Sequence, residues 1–111
     1  MRRGTTPNYV LTIPGYDLTG CELYVSLEQY ATLVTITNDR LECTYDQVKD
    51  ESSIVFSLTQ DETLAFKSGA AEIQVRFIDR DGEVQATEVK NIRVHPVLFE
   101  GVISYGESAG N

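Results

Sequence analysis

Cysteine, histidine and positive charge are all scarce in these 111 residues: there are two cysteines, one histidine, and nine lysines and arginines against seventeen acidic residues. Cys21 and Cys43 are too few for a disulfide scaffold or a zinc site. Cys21 shares the parity of the inward residues of the strand it opens, which predicts a buried free thiol. A bond to Cys43 is the alternative if the two strands face each other. His95 stands beside Pro96, and no Gly-x-Ser-x-Gly or comparable elbow accompanies it, so nothing predicts an activated nucleophile. A net charge of −8 argues against a surface that tracks phosphates, because such surfaces concentrate lysine and arginine. The same charge weakens attraction to anionic lipid, and solubility is its simplest use.

Other absences narrow the reading further. No apolar run approaches the roughly 18 residues of a membrane helix. The first seven residues carry the charge of a signal peptide but no apolar segment follows, which predicts a product cytoplasmic at synthesis. There is no glycine-rich phosphate loop, no internal repeat and no low-complexity segment. Asp79-x-Asp81-Gly82 opens like a calcium loop, yet position 12 of that loop would be Lys90, so a hairpin turn is the stronger reading. Asp17, Glu22, Glu28, Glu72 and Glu88 fall in loops or on outward faces, where a solvated carboxylate is the default and paired acid–base chemistry has no footing. Nothing calls for a cofactor or a metal.

What is present is a period of two. Residues 53–58 alternate Ile54, Phe56 and Leu58 with Ser53, Val55 and Ser57, and residues 72–77 alternate Ile73, Val75 and Phe77 with Glu72, Gln74 and Arg76. Between them Thr59-Gln60-Asp61-Glu62 reads as a capping box, with Asp61 and Glu62 at the positive end of the helix dipole. Leu64 and Phe66 then predict one helical turn closing over the core, with Gly69 available to stop it. Further strands are predicted at 6–13, 21–28, 33–37, 41–48 and 84–94. Val34 and Ile36 are the inward pair of the third of these, and 41–48 is predicted at an edge because of the charged turn that follows it. Glu28-Gln29-Tyr30 reads as a polar link, and Asp79-Arg80-Asp81-Gly82 as a hairpin turn. The parity of 84–94 slips, which predicts a bulge or bend near residues 88–91. Turns every 8 to 12 residues favour one all-β domain: an antiparallel, immunoglobulin-like β-sandwich of about seven strands with a helical corner near 59–66. Residues 1–6 are expected as a flexible arm, 97–103 as apolar enough to dock, and 104–111 as a disordered tail.

Surface aromatics supply the candidate contacts. Tyr24 points outward by parity, and Tyr16, Tyr30 and Tyr105 sit in loops or the tail, where amphipathic rings suit a protein or sugar contact. Arg2 and Arg3 give the acidic chain a basic start, and Leu98, Val102 and Ile103 lie in the apolar closing segment. Several segments together resemble a family. They are Arg2-Arg3-Gly4-Thr5-Thr6-Pro7, Asp17-Leu18, Leu23-Tyr24-Val25-Ser26-Leu27-Glu28-Gln29, residues 58–66, Glu72-Ile73-Gln74-Val75-Arg76, residues 89–94, and Leu98-x-Glu100-Gly101-Val102-Ile103. Their order is similar to that of small proteins encoded among the tail genes of phages and prophages of Gram-positive and gut bacteria. The resemblance implies a non-enzymatic structural or accessory role in tail or baseplate assembly. It further implies a place in the host bacterial cytoplasm or the virion tail, and partners among other tail proteins or further copies of the chain, with neither nucleic acid nor membrane involved. Cys21 and the longer 38–53 segment depart from the pattern. A carbohydrate- or receptor-binding sandwich using the loop tyrosines is the alternative.

Overall fold

The computed structural model describes residues 1–104. Two antiparallel sheets face each other. The first contains β1 (Asn8–Pro14), β5 (Glu51–Ser57) and β4 (Leu41–Asp46), in that order; the second runs β3 (Thr32–Ile36), β2 (Leu23–Gln29), β6 (Gly69–Ile78), with β7 (Val84–Ala86) and β8 (Lys90–Val94) sharing the last place beside β6. These positions are those of strands B, E and D in one sheet and C′, C, F and G in the other of an immunoglobulin sandwich. Among the described residues no strand stands at the A position, outside β1. The chain is an all-β sandwich whose one α-helix among the described residues, α1 (Gln60–Ala65), lies at the corner between β5 and β6.

Alternation builds the core. Leu23, Val25 and Leu27 of β2, Ile54 and Phe56 of β5, and Ala71, Ile73, Val75 and Phe77 of β6 are all buried, while the residues between them face outward or are half-covered. Burial of each large member contributes about 1.5–3 kcal/mol. Leu18, Leu58 and Phe66 come from the connections and close the open ends of the two layers.

Each crossing between sheets is pinned by polar side chains. Ser52, fully buried, accepts from the Leu18 amide and donates to the Tyr16 carbonyl, which holds the β1–β2 loop against β5. Arg80 donates to the Asp17 and Thr19 carbonyls of the same loop. Asn38 accepts from the Leu23 amide and donates to the Cys21 carbonyl, fixing the 3-10 turn Asn38–Arg40 to the start of β2. At the third crossing the capping box is formed as the sequence predicts: the Thr59 hydroxyl accepts from the Glu62 amide and the Glu62 carboxylate from the Thr59 amide.

Glu62 has a second partner that sequence spacing does not reveal. Both Arg40 guanidinium Nη atoms donate to its carboxylate at 2.7 Å, a two-pronged bond across 22 residues. Those bonds and the Thr59 amide lower the Glu62 pKa to about 2 from its ordinary 4.5. A carboxyl whose folded pKa is depressed stabilises the fold above its unfolded value and loses that contribution as pH falls toward the folded value. Between pH 4.5 and 2, Glu62 should therefore withdraw about 1–2 kcal/mol, the full shift being discounted for solvent screening around a partly exposed pair. Urea midpoints measured across that window should fall less steeply for Glu62→Gln than for the unaltered chain; parallel curves refute the assignment.

Several expectations need correction. Gly69 does not stop α1: the helix ends at Phe66 in extended backbone, and Gly69 opens β6 at φ +126°, a value that favours glycine. Gln29 is not part of a polar link; it is the last, buried residue of β2. The predicted 84–94 strand is two short ones. β7 and β8 pair with β6 in registers differing by one residue, and residues 87–89 oppose only Gln74 and Val75. The bulge thus begins one residue before the predicted stretch, and Val84 lies on the outer face, 60% exposed. Thr87 causes the step, since its hydroxyl, not its carbonyl, accepts from the Val75 amide. Cys21 is half-buried and so is Cys43; both are free thiols. Burial raises the Cys43 pKa.

Candidate interaction surface

The two ends of the sandwich differ in character. At one end the β1–β2 loop, the β4–β5 turn and the β6–β7 turn are tied together by backbone and charge. Gly15 donates to the Asp50 carbonyl, and Arg80 pairs with Asp17 at 3.3 Å. Within the β6–β7 turn the Asp79 carboxylate accepts from the Asp81 and Glu83 amides, and Gly82 takes φ +83°. These carboxylates are spent on turn geometry. Among the described residues no group of three or more His, Cys, Asp or Glu side chains is arranged to hold a metal ion.

The opposite end carries α1, the β2–β3 turn, the N-terminus and the segment after β8, and it gathers six of the sequence-predicted contact residues: Arg2, Arg3, Tyr30, Leu98, Val102 and Ile103. Arg2 and Arg3 are there, but not on a free arm. Met1 accepts through its carbonyl from the His95 amide, and Arg3 returns its own amide to the His95 carbonyl, so the N-terminus lies parallel to the chain leaving β8. Arg2 donates to the Pro96 carbonyl. The Arg3 guanidinium donates to the Leu64 and Phe66 carbonyls, the orphan acceptors at the end of α1, and forms an ion pair with Glu100. Both arginines are engaged within the chain, and Arg3 links three segments that are far apart in sequence.

The segment after β8 does not dock as its composition suggests. Val97 alone turns inward, towards Leu64 beside Gly4, while Leu98 is 105%, Phe99 67%, Val102 54% and Ile103 62% exposed. Gln60 holds the far end of the segment in place, donating to the Ile103 carbonyl and accepting from its amide. Apolar side chains are therefore held in water by polar clamps at Arg3 and Gln60. Single exposed hydrophobic residues are ordinary; four within six residues are a local concentration of the kind found at contact sites.

The tyrosines scatter. Tyr30 is 84% exposed at the tip of the β2–β3 turn, near α1, and holds φ +50°, a left-handed conformation that costs a non-glycine residue about 1 kcal/mol or more. Tyr24 lies on the outer face of the second sheet, opposite Arg76 and 41% exposed. Tyr16 packs edge-on against Phe77, ring centroids 5.0 Å apart, and belongs to the core boundary. Tyr105 and the predicted disordered tail from residue 105 onward lie outside the described residues. His95 is exposed and joins the structure through its backbone. Sequence reading missed Phe99, whose exposure no local pattern signals. No helix among the described residues is long and apolar enough to cross a membrane. No protein-family model and no curated protein matches this chain.

Proposed function

We propose that this domain acts without catalysis, as a protein–protein interaction module of the kind that serves as a structural or accessory component of a phage or prophage tail or baseplate. The observation that carries the reading is the exposed apolar segment at 98–103, clamped in place by Arg3 and Gln60. Water-exposed leucine and phenylalanine stabilise nothing in the isolated chain, and they gain roughly 25 cal/mol per Å² when a partner covers them. The tail assignment rests on the resemblance of ordered segments from Arg2 to Ile103. The carbohydrate-binding alternative loses ground because Tyr16, Tyr24 and Tyr30 do not share a face.

The test is incorporation. The chain should be found by mass spectrometry in purified tail particles or tail-assembly intermediates, and a deletion of residues 97–111 should reduce its incorporation at least tenfold. Genes flanking its own should encode tail components. A truncated chain that incorporates at the normal level removes the segment from the reading; absence of the unaltered chain from both preparations removes the tail assignment.

A further inference from the structure

β1 is an edge strand with an open side. The bonds Leu58 amide to Pro7 carbonyl and Gly15 amide to Asp50 carbonyl set the phase of the β1–β5 ladder. In that phase Tyr9, Leu11 and Ile13 exchange hydrogen bonds with β5, and the N–H and C=O groups of Val10 and Thr12 point away from it. Beside that edge a groove of about 440 Å³ opens between the sheets, floored by Leu11, Ile13, Ile73 and Val75 and rimmed by Glu88 and Lys90. A sandwich with a strand at the A position would cover this place. Other edges carry devices against strand addition: Glu42 and Asp46 on β4, the bulge at 87–89 with Lys90 and Arg93 beside β6, and only five residues in β3. β1 has no charged residue, and Pro14 blunts only its last position.

We propose that this edge accepts an added strand, and that the strand is residues 97–103 of a second copy of the chain. Among the described residues, the acceptor is an open strand edge and the donor a segment whose large apolar side chains are mostly exposed, and they match. The donor has seven residues, the length of β1. Val97, Phe99 and Ile103 share one parity and enter the groove, with Gly101 between them. Its only charge is Glu100, and a rim bearing one charge of each sign does not repel it. The clamps at Gln60 and Arg3 hold the segment at the α1 end of its own copy, so a neighbour's groove receives it once the Ile103 hydrogen bonds, the Arg3–Glu100 pair and the Val97 contact beside Leu64 are exchanged for ladder bonds and the groove. Such a contact joins different surfaces on the two copies, so it propagates head to tail into a ring or a filament. This inference rests on the interaction-module reading and names the partner.

Complementation between two crippled variants tests it. Val10→Pro removes an outward N–H from an edge, a place where proline is compatible with the sheet, and destroys the acceptor alone. Phe99→Asp destroys the donor alone. Light scattering from micromolar to millimolar chain should show the unaltered protein growing to multiples of its mass and each variant staying monomeric. An equimolar mixture should double in mass and stop, because one intact donor meets one intact acceptor. Val10→Lys serves as the acceptor variant if Val10→Pro lacks a cooperative melt. Unaltered protein that stays monomeric, a mixture that stays monomeric, or a Phe99→Asp chain that still self-associates each overturns the proposal. A monomeric chain that nevertheless enters tail particles overturns only this step and leaves the interaction-module reading standing.

Discussion

Val75→Asp should leave a chain with no cooperative unfolding transition by circular dichroism or by urea titration at pH 7. Val75 sits midway along β6, 3% exposed, with β2 on one side and the bulged β7–β8 edge on the other. Leu11 and Ile13 face it across the groove between the sheets, and the one lysine lining that groove, Lys90, stands on its rim beside Glu88. An ionised carboxylate at a position 3% exposed either loses most of its hydration or takes up a proton, and each choice costs several kcal/mol beyond the loss of the valine methyls, about 1.5 kcal/mol or more. The sum exceeds about 5 kcal/mol, comparable with the whole net stability of a small domain. A second signature separates this mechanism from a general intolerance at the site: Val75→Ala should still melt cooperatively, with a cost of about 1–3 kcal/mol. A normal melt for Val75→Asp would falsify the inward placement of β6.

Which parts of the molecule could be read from residues follows from how local the cause is. The inward faces of β2, β5 and β6 were legible because a strand buried on one side must alternate, and nothing distant is needed to see Ile73, Val75 and Phe77 recur. The capping box was legible for the same reason, since Thr59 and Glu62 are three residues apart. Interactions that close long loops were not. Arg3 meets α1 at Leu64, 61 residues on, and Arg40 meets Glu62, 22 residues on; no period or spacing connects them. A run of unpaired-looking arginines at an N-terminus therefore reads as a loose arm until the carbonyls at the end of a helix are seen to need donors. The apolar stretch at 97–103 failed differently. Composition states that Leu98 and Phe99 want cover, but whether cover comes from the same chain depends on where Arg3 and Gln60 hold them. As for the candidate contacts, Tyr24 and Tyr30 face solvent as read, whereas Tyr16 is drawn into the core boundary by Phe77, a partner 61 residues away.

Gln29 shows how one such hidden residue carries the corner. Its parity with Leu23, Val25 and Leu27 places it inward at the end of β2, and a polar side chain there must find partners or destabilise the fold. It finds three: its amide nitrogen donates to the Lys67 and Ala70 carbonyls, and its amide oxygen accepts from the Lys67 amide. Lys67 belongs to the link between α1 and β6, a stretch with no ladder of its own, and Ala70 to the first residues of β6, so Gln29 ties the link to the strand it leads into. Gln29→Leu keeps the volume and removes all three bonds, leaving a donor and two acceptors with reduced access to water. The expected loss is about 2–4 kcal/mol, read as a lower urea midpoint at unchanged slope. Gln29→Glu should recover no more than the bond from the Lys67 amide, because a carboxylate faces the two carbonyls with like polarity. Amide hydrogen exchange adds a local readout: in Gln29→Leu, Lys67 and Ala70 should lose protection before the centre of β6 does, since the link opens while the sandwich persists. Unchanged protection at Lys67 together with an unchanged midpoint would show that water replaces the side chain at no cost, and that the corner is held by the capping box and Arg3 alone.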